Sequence, residues 1–428
     1  MALSNNNRTY YATHAVALGK KDADPTAAIT NAASQANTIR AASGVQSVGV
    51  NTTFNLEQVF QLGQLEIYEN IENIPDVEVT IEKALDGHAL IQHLATPQAS
   101  ATTLASRYNN NRTDIRIAYV ADTLENVAGT PQAELYCSGM YLSSISLTLP
   151  VDGNCTESVT FVGNDKTWST GTALNPGNKG SWWNQTLNRD EFSADGTPTD
   201  AAGVLRRQDV ELSGSIVPKD LAGAMGIKDG EIRATGDVYK CGHSDHAANS
   251  TGFVPQLKFG TPASGPLFGA STVSAMGFAA SGANNTIADK KVAAVHVQSI
   301  TISTDLGRTE LFELGRRGPY HRFADFPTEV TCAFEIIETE IGDIKNVDAE
   351  AESNVTDSPI FIMLKDGTLI NLGAKNKLAS VTSSGGDTGG GNRTSTFNYS
   401  NFNSYQVHHP LDPANLAGGV TYGNFSDA

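Results

Sequence analysis

Long apolar runs, helical periodicity and a surplus of basic charge are all missing from this chain of 428 residues. No stretch of about 20 apolar residues occurs, so no hydrophobic membrane-spanning helix is expected. The opening residues, MALSNNNRTYYATHAVALGKK, have no basic segment leading into an apolar one, so no secretory signal is expected either. Four cysteines, Cys137, Cys155, Cys241 and Cys332, are too few and too irregularly spaced for a disulfide framework. They point to synthesis in a reducing cytoplasm. Asn-x-Ser/Thr triplets such as the one at Asn249 are then products of composition rather than glycosylation sites. Lys and Arg number 29 against 46 Asp and Glu, a formal net charge of −17. Proteins that grip nucleic acid cluster cations against phosphates. Here the densest basic group is Arg316, Arg317, His321 and Arg322. An acidic balance of this kind is compatible with contact to DNA without adhesion.

Catalytic signatures are missing too. There is no Gly-x-Ser-x-Gly elbow, no Walker loop and no dinucleotide fingerprint. Cys241, His243, Asp245 and His246 are the one cluster of metal-ligand types, but zinc sets come as two spaced pairs and no partner pair exists. They read as a polar loop, as do His408 and His409. Asp114, Glu134, Asp209 and Glu211 lie near strands, where carboxylates on a wet face are the norm. Trp182 and Trp183 fit a sugar platform or an anchor at a subunit interface, where Trp is enriched, and the interface is preferred. No catalytic, metal-binding or cofactor-binding residue is assigned, no cofactor is expected, and the chain is read as not an enzyme.

What the chain does contain is a repeat. Val45–Glu82 slides onto Val297–Glu335 by 252 positions without a gap as far as Pro75 and Pro327. Val45, Gln46, Ser47, Thr52, Phe60, Leu62, Gly63, Tyr68 and Pro75 meet Val297, Gln298, Ser299, Thr304, Phe312, Leu314, Gly315, Tyr320 and Pro327. Average composition would give roughly two such identities. After the prolines one residue drops out, so that Glu78-Val79-Thr80 meets Glu329-Val330-Thr331. Leu142–Phe161 and Leu378–Phe397 align at an offset of 236, with Leu142, Ser144, Gly153, Thr160 and Phe161 on Leu378, Ser380, Gly389, Thr396 and Phe397. Two matches in the same order make two copies of one β unit.

Alternation of apolar and polar residues places strands at Val45–Thr53, Asp76–Lys83, Asp114–Ala121, Glu134–Leu149, Glu157–Val162, Gln208–Val217, Ala294–Thr304, Ile360–Leu364 and Thr368–Leu372, with a last strand region at Thr394–Val407. Leu56–Ile67 reads as a connection, and Asp152-Gly153-Asn154 as a turn. The organisation expected is an N-terminal arm (1–44), a first β domain (45–226) with a long irregular loop (163–204), a bridge (227–292) and a second β domain (293–428). Gln208–Val217 is expected to close the first domain. The class is mainly β, two tandem antiparallel sandwich or open-barrel units with long loops.

The run Leu142–Asp165, the pattern from Val-Gln-Ser to Glu-Val-Thr in both copies and the duplication itself resemble tail tube proteins of long-tailed bacteriophages. The resemblance covers about half of the residues. It implies a structural virion protein, made in the bacterial host cytoplasm. In that family six tube domains form a ring around a β-barrel channel, and stacked rings form the tube through which DNA leaves the capsid. A two-domain chain would then assemble as a homotrimer with a pseudo-hexameric ring, a hexamer being the other possibility. Its partners would be its own copies and other tail proteins (sheath or terminator, baseplate), and DNA would pass without specific binding. The arm and the long loop would make the ring-to-ring contacts. The competing classes are a baseplate, tail-tip or capsid-decorating β protein, and a carbohydrate-binding β protein.

Overall fold

The computed structural model describes residues 14–23, 39–96, 104, 108–120, 131–170, 204–207, 210–213, 238–240, 296–316, 318–337, 360–364, 368–372, 375–385 and 391–409. The Cys241–His246 cluster, Asp209 and the Trp182-Trp183 pair lie outside them, as does most of the long loop.

The described chain is mainly β. The first part contains β1 (His14–Lys20), β2 (Arg40–Ala41), β3 (Val45–Thr53), β4 (Leu56–Phe60), β5 (Ile67–Glu72), β6 (Asp76–Ala84), the short helix α1 (Ile91–Ala95) and β7 (Thr113–Tyr119). There follow β8 (Ala133–Pro150), β9 (Thr156–Gly163), β10 (Lys166–Thr170), β11 (Val210–Ser213) and β12 (Val238–Lys240). The second part contains β13 (His296–Asp305), β14 (Arg308–Leu311), β15 (His321–Ala324), β16 (Glu329–Ile337), β17 (Phe361–Leu364), β18 (Leu369–Asn371), β19 (Lys377–Ser384), β20 (Thr394–Phe402) and β21 (Gln406–His408).

Strict alternation makes β6, β9, β16 and β20 half-wet antiparallel strands, each with one buried face. They belong to a run of eight, β3-β6-β9-β8-β13-β16-β20-β19, in which every neighbouring pair is antiparallel. The first four strands and the last four are the two copies, in the same order. Their irregularities match as well. A bulge between Val45 and Ser47 in β3 recurs between Val297 and Ser299 in β13, and one between Leu142 and Ser144 in β8 recurs between Leu378 and Ser380 in β19. Bulges re-aim a strand at a fixed place, so duplicated bulges are independent support for a duplicated unit.

Two alignments move. Ser47 pairs with Glu82 and Ser299 with Glu335, so β6 maps onto β16 with one residue inserted, Thr328, rather than one removed. Likewise Ser144 pairs with Thr160 and Ser380 with Asn398, which places Phe161 on Tyr399 and Val159 on Phe397. Both differences are shifts of two. Alternation cannot detect them, because a two-residue slip returns every side chain to its own face.

The buried face packs into one core. Ile145, Leu147, Val159 and Phe161 of the first copy and Ile300, Ile302, Phe334 and Phe397 of the second belong to a single apolar cluster. Burying each such side chain stabilises by about 1.5–3 kcal/mol. A second sheet, β12-β11-β17-β18-β21, adds Ile362, Leu364, Ile370 and Val407 to that cluster, and β1, β7 and α1 add Leu18, Ile117 and Leu94. Two expectations change here. β11 pairs with β17 of the second half instead of closing the first. The stretch His14–Lys20, expected within an arm, is an interior strand paired with β7 along its whole length. Among the described residues, no helix is long and apolar enough to cross a membrane.

Candidate functional site

Among the described residues, the unusual features are a joint, two open edges and a wet sheet face. The joint is β8 against β13. β8 is 18 residues long, enough to serve two partners on one flank. Its first half pairs with β7 and its second half, from Ser144 to Pro150, with β13. The last strand of copy one is thereby bonded to the first strand of copy two, with Ser299 opposite Pro150 and Asp305 opposite Ser144.

The same two strands occur again without each other. β3 is the counterpart of β13, and β19 is the counterpart of β8. Among the described residues, β3 pairs only with β6 and β19 only with β20. Burial records the difference. Ile300 and Ile302 are buried where β8 covers them, while Val48 and Val50 are only half-buried. Leu306 is 0% exposed and its counterpart Phe54 is 70% exposed. On the other strand, Leu147 is buried and its counterpart Ser383 is exposed. Open strand edges present unpaired N–H and C=O groups, a template for pairing with another chain.

The wet face of the eight strands is a carpet of hydroxyls. Ser47 donates to Glu82 and Ser299 to Glu335, the same bond in both copies. Thr80 meets Thr160 at 3.4 Å, Ser303 meets Thr331 at 2.7 Å, and Ser400 donates to Glu329 at 2.7 Å. The negative charges on this face are the carboxylates of Asp76, Glu78, Glu82, Asp305, Glu329 and Glu335, which pair across strands with wet-face neighbours. Lys377, opposite Ser400 at the β19 edge, is the one cation among the described residues of these strands on this face. A face of this kind offers phosphates neither clustered cations nor an apolar platform.

Each copy also projects a hairpin, where the sequence suggested only a connection. β4–β5 and β14–β15 keep the offset of 252, with Leu56 opposite Glu72 and Arg308 opposite Ala324. Gly63 and Gly315 turn the tips at φ of +93° and +84°, a region that favours glycine. Matched apolar residues stand bare at both tips: Phe60 and Phe312, Leu62 and Leu314, Tyr68 and Tyr320 are all exposed.

The hairpins differ at the base. Arg308 donates to the carbonyls of Leu142, Asn109 and Tyr108 at 2.7, 3.0 and 2.7 Å, with Tyr141 under its guanidinium. Burial pulls its pKa down to about 10, which leaves it charged at neutral pH. Arg322 donates to Asp76 and Asn164 at 2.8 and 3.2 Å and pairs with Glu310. These bonds fasten the second copy's hairpin onto the first copy. At the corresponding places β4–β5 has Leu56, Asn70 and Gln58, all exposed.

Two of the carboxylates read as wet, Glu134 and Asp114, are buried instead. Glu134 is fully buried and paired with Arg116 at 3.0 Å. Asp114 is 1% exposed and accepts from Tyr136, Ser138 and the amides of Asp22 and Gly139. Both hold the β1-β7-β8 corner together. Glu211 stands in β11, and His409 is buried against the His93 ring. Among the described residues, no group of His, Cys, Asp and Glu is arranged to hold a metal ion. Cys137, Cys155 and Cys332 are buried, and burial pushes the Cys137 thiol up to about 12. The joint itself went unseen in the sequence, because alternation marks a strand without naming its partner.

No protein-family model matches the chain, and no curated protein matches it. Among solved structures it is similar to the tube terminating cap of the anti-feeding prophage, at 12% identity over 40% of this chain and 100% of that one, with a TM-score of 0.26. It is similar to a chain of the anti-feeding prophage baseplate, at 9% identity over 39% and 98%, TM-score 0.27. It is also similar to a chain of the PVC sheath-tube complex of an extracellular contractile injection system, at 10% identity over 38% and 93%, TM-score 0.27.

Proposed function

We propose that this chain is a structural subunit of the tail of a phage-like particle, and that it builds the tail tube. The observation that carries the reading is the β8–β13 joint with its two unmatched counterparts. Repeating that joint between chains sets β19 of one copy against β3 of the next. The bonded register, Asp305 opposite Ser144 and Ile302 opposite Leu147, transfers to Thr53 opposite Ser380 and Val50 opposite Ser383. Head-to-tail association of this kind closes into a ring when the rotation allows, and closure removes both edges. The favoured ring has three chains, hence six copies of the four-strand unit around one barrel.

The hydroxyl face then lines the channel. Its carboxylates repel DNA phosphates within a Debye length of about 8–10 Å, and its hydroxyls give the duplex nothing to stack on. The hairpin tips support stacking of rings. Phe312, Leu314 and Tyr320 stay exposed although the lateral neighbour of their copy is already in place, which leaves them to a partner along the axis.

Electron microscopy and mass photometry of the purified protein test the reading. Rings or hollow tubes, with a smallest closed species of three chains, are expected. Rings of six chains would retain the tube and assign the second copy a decorating or stacking role. A chain that stays monomeric at high concentration, also in the presence of preformed tail seeds, would overturn the tube reading in favour of a tip or binding protein.

A further inference from the structure

The two hairpin bases differ in a way that specifies a partner. In the second copy the base is covered by the first copy. Leu306 donates its amide to the Ser143 carbonyl at 2.8 Å, Arg308 is locked on backbone carbonyls, and Arg322 reads the adjoining pair Asp76 and Asn164. In the first copy the equivalent surface is bare: Phe54 is 70% and Leu56 is 59% exposed. The surface that would meet it is equally legible. Asp76 and Asn164, which are bonded to each other, have as counterparts Glu329 and Phe402, which face each other across β16 and β20. Phe402 is 58% exposed. Apolar side chains thus occur on both sides of the unfilled joint: Leu56 stands where the filled joint has Arg308, which bonds the Leu142 carbonyl, and Phe402 stands where it has Asn164, which bonds Arg322.

We propose that Phe54, Leu56 and the base of β4–β5 dock on Phe402 and Glu329 of a second copy of this chain. The proposal rests on the ring reading above and adds that the ring has two chemically different joints. The joint inside the chain is a polar lock, and the joint between chains is an apolar one. The surface is continuous with the open β3 edge, since Phe54 directly follows that strand. Polar residues suit the joint that forms once, during folding, where unpaired buried donors are costly and fix one geometry. Apolar residues suit the joint that must form between separately folded subunits without stringent alignment. The difference also discriminates. Asn70, standing where Arg322 stands, supplies no guanidinium to grip Asp76 and Asn164, so the first hairpin does not compete for the second hairpin's seat.

The variant F402D changes an exposed residue and tests this in the full chain. Its fold is checked by circular dichroism, and its assembly by mass photometry beside the unaltered protein. The expected result is a native spectrum with the concentration needed for ring formation raised at least tenfold. A second measurement uses Phe402→Cys with a maleimide reagent, read by peptide mass at residue 402. Labelling is expected to be at least tenfold slower in rings than in single chains. Restoration of rings by the combination L56R, N70R and F402N would add support, because it rebuilds the polar lock against Glu329. If unaltered rings form and F402D rings form equally well, with residue 402 labelled as fast in rings as in single chains, the apolar joint is overturned while the ring reading stands. If the unaltered chain forms no rings under any condition, both fall.

Discussion

β13 and β3 are one strand in two settings, and the difference between them says more about the molecule than either strand alone. β13 lies inside the sheet, covered by β8, with Ile300 and Ile302 buried. β3 lies at its margin with Val48 and Val50 half-exposed. The sequences of the two strands begin with the same Val-Gln-Ser and bulge at the same place, so their exposure differs because of what is beside them. A residue that keeps its apolar character at an open edge has a reason to be covered, and natural edges without a partner are usually blunted with charge or proline. β3 carries neither.

The comparison breaks most visibly if charge is placed at equivalent positions. Ile300→Lys buries an unpaired ammonium and is expected to cost more than about 4 kcal/mol, enough to prevent folding. Val48→Lys stands at the open edge, and the chain is expected to fold while losing assembly. Denaturant melts and mass photometry of the two variants separate these outcomes, and equal melting of both would erase the distinction between joint and edge.

The opposite strands make a smaller version of the same test. Leu147→Ala opens a cavity in the joint and should cost about 2–5 kcal/mol in a urea melt. Ser383→Ala, its counterpart on β19, should stay within about 0.5 kcal/mol. A large loss at Ser383 in single chains would mean that β19 is already covered.

At the hairpin bases, Arg308→Ala strands three carbonyls and should cost about 2–3 kcal/mol. Leu56→Ala should leave the single chain's melt unchanged and weaken its assembly. The smallest effect is electrostatic. Glu157 accepts from the amides of Ile91 and Gln92 at 2.7 and 3.1 Å at the start of α1, and its counterpart on β20 is the neutral Ser395. Burial raises its carboxyl pKa above the usual 4.5 in spite of these bonds. A raised folded-state value means that the folded chain holds the proton more tightly. The stability this contributes is present below about pH 4.5 and is lost as pH rises through the folded value. Glu157→Gln should therefore flatten the stability profile just above pH 4.5, as read by melts across that range.

Much of this was legible in the residues. Nine identities at one offset revealed the duplication, and alternation placed β6, β8 and β9 within a residue or two of their observed ends. Mainly β was right for the same reason. The two alignment shifts were not legible, because slips of two conserve the faces. The hairpins were hidden because Phe60, Leu62 and Tyr68 are apolar yet exposed, the reverse of the pattern that announces a strand. Glu134 looked wet because nothing local names Arg116, which lies on the neighbouring strand, as its partner. The lock at Arg308 did leave a trace: it is a cation where the other copy has Leu56, a substitution that a purely structural repeat would have no reason to make.

The most direct test of the account is a disulfide trap at the transferred register. Asn51→Cys with Thr382→Cys, and separately Val50→Cys with Ser383→Cys, place thiols on directly opposed residues of the proposed β3–β19 pairing. Opposed residues sit about 4.5–5.5 Å apart between Cα atoms, within disulfide reach, and two adjacent pairs sample both the bonded and the non-bonded type. The account predicts that mild oxidation yields a closed covalent species of three chains for at least one pair, while pairs displaced by two residues along β19 do not cross-link. Single chains only, or equal cross-linking at the displaced register, would contradict it.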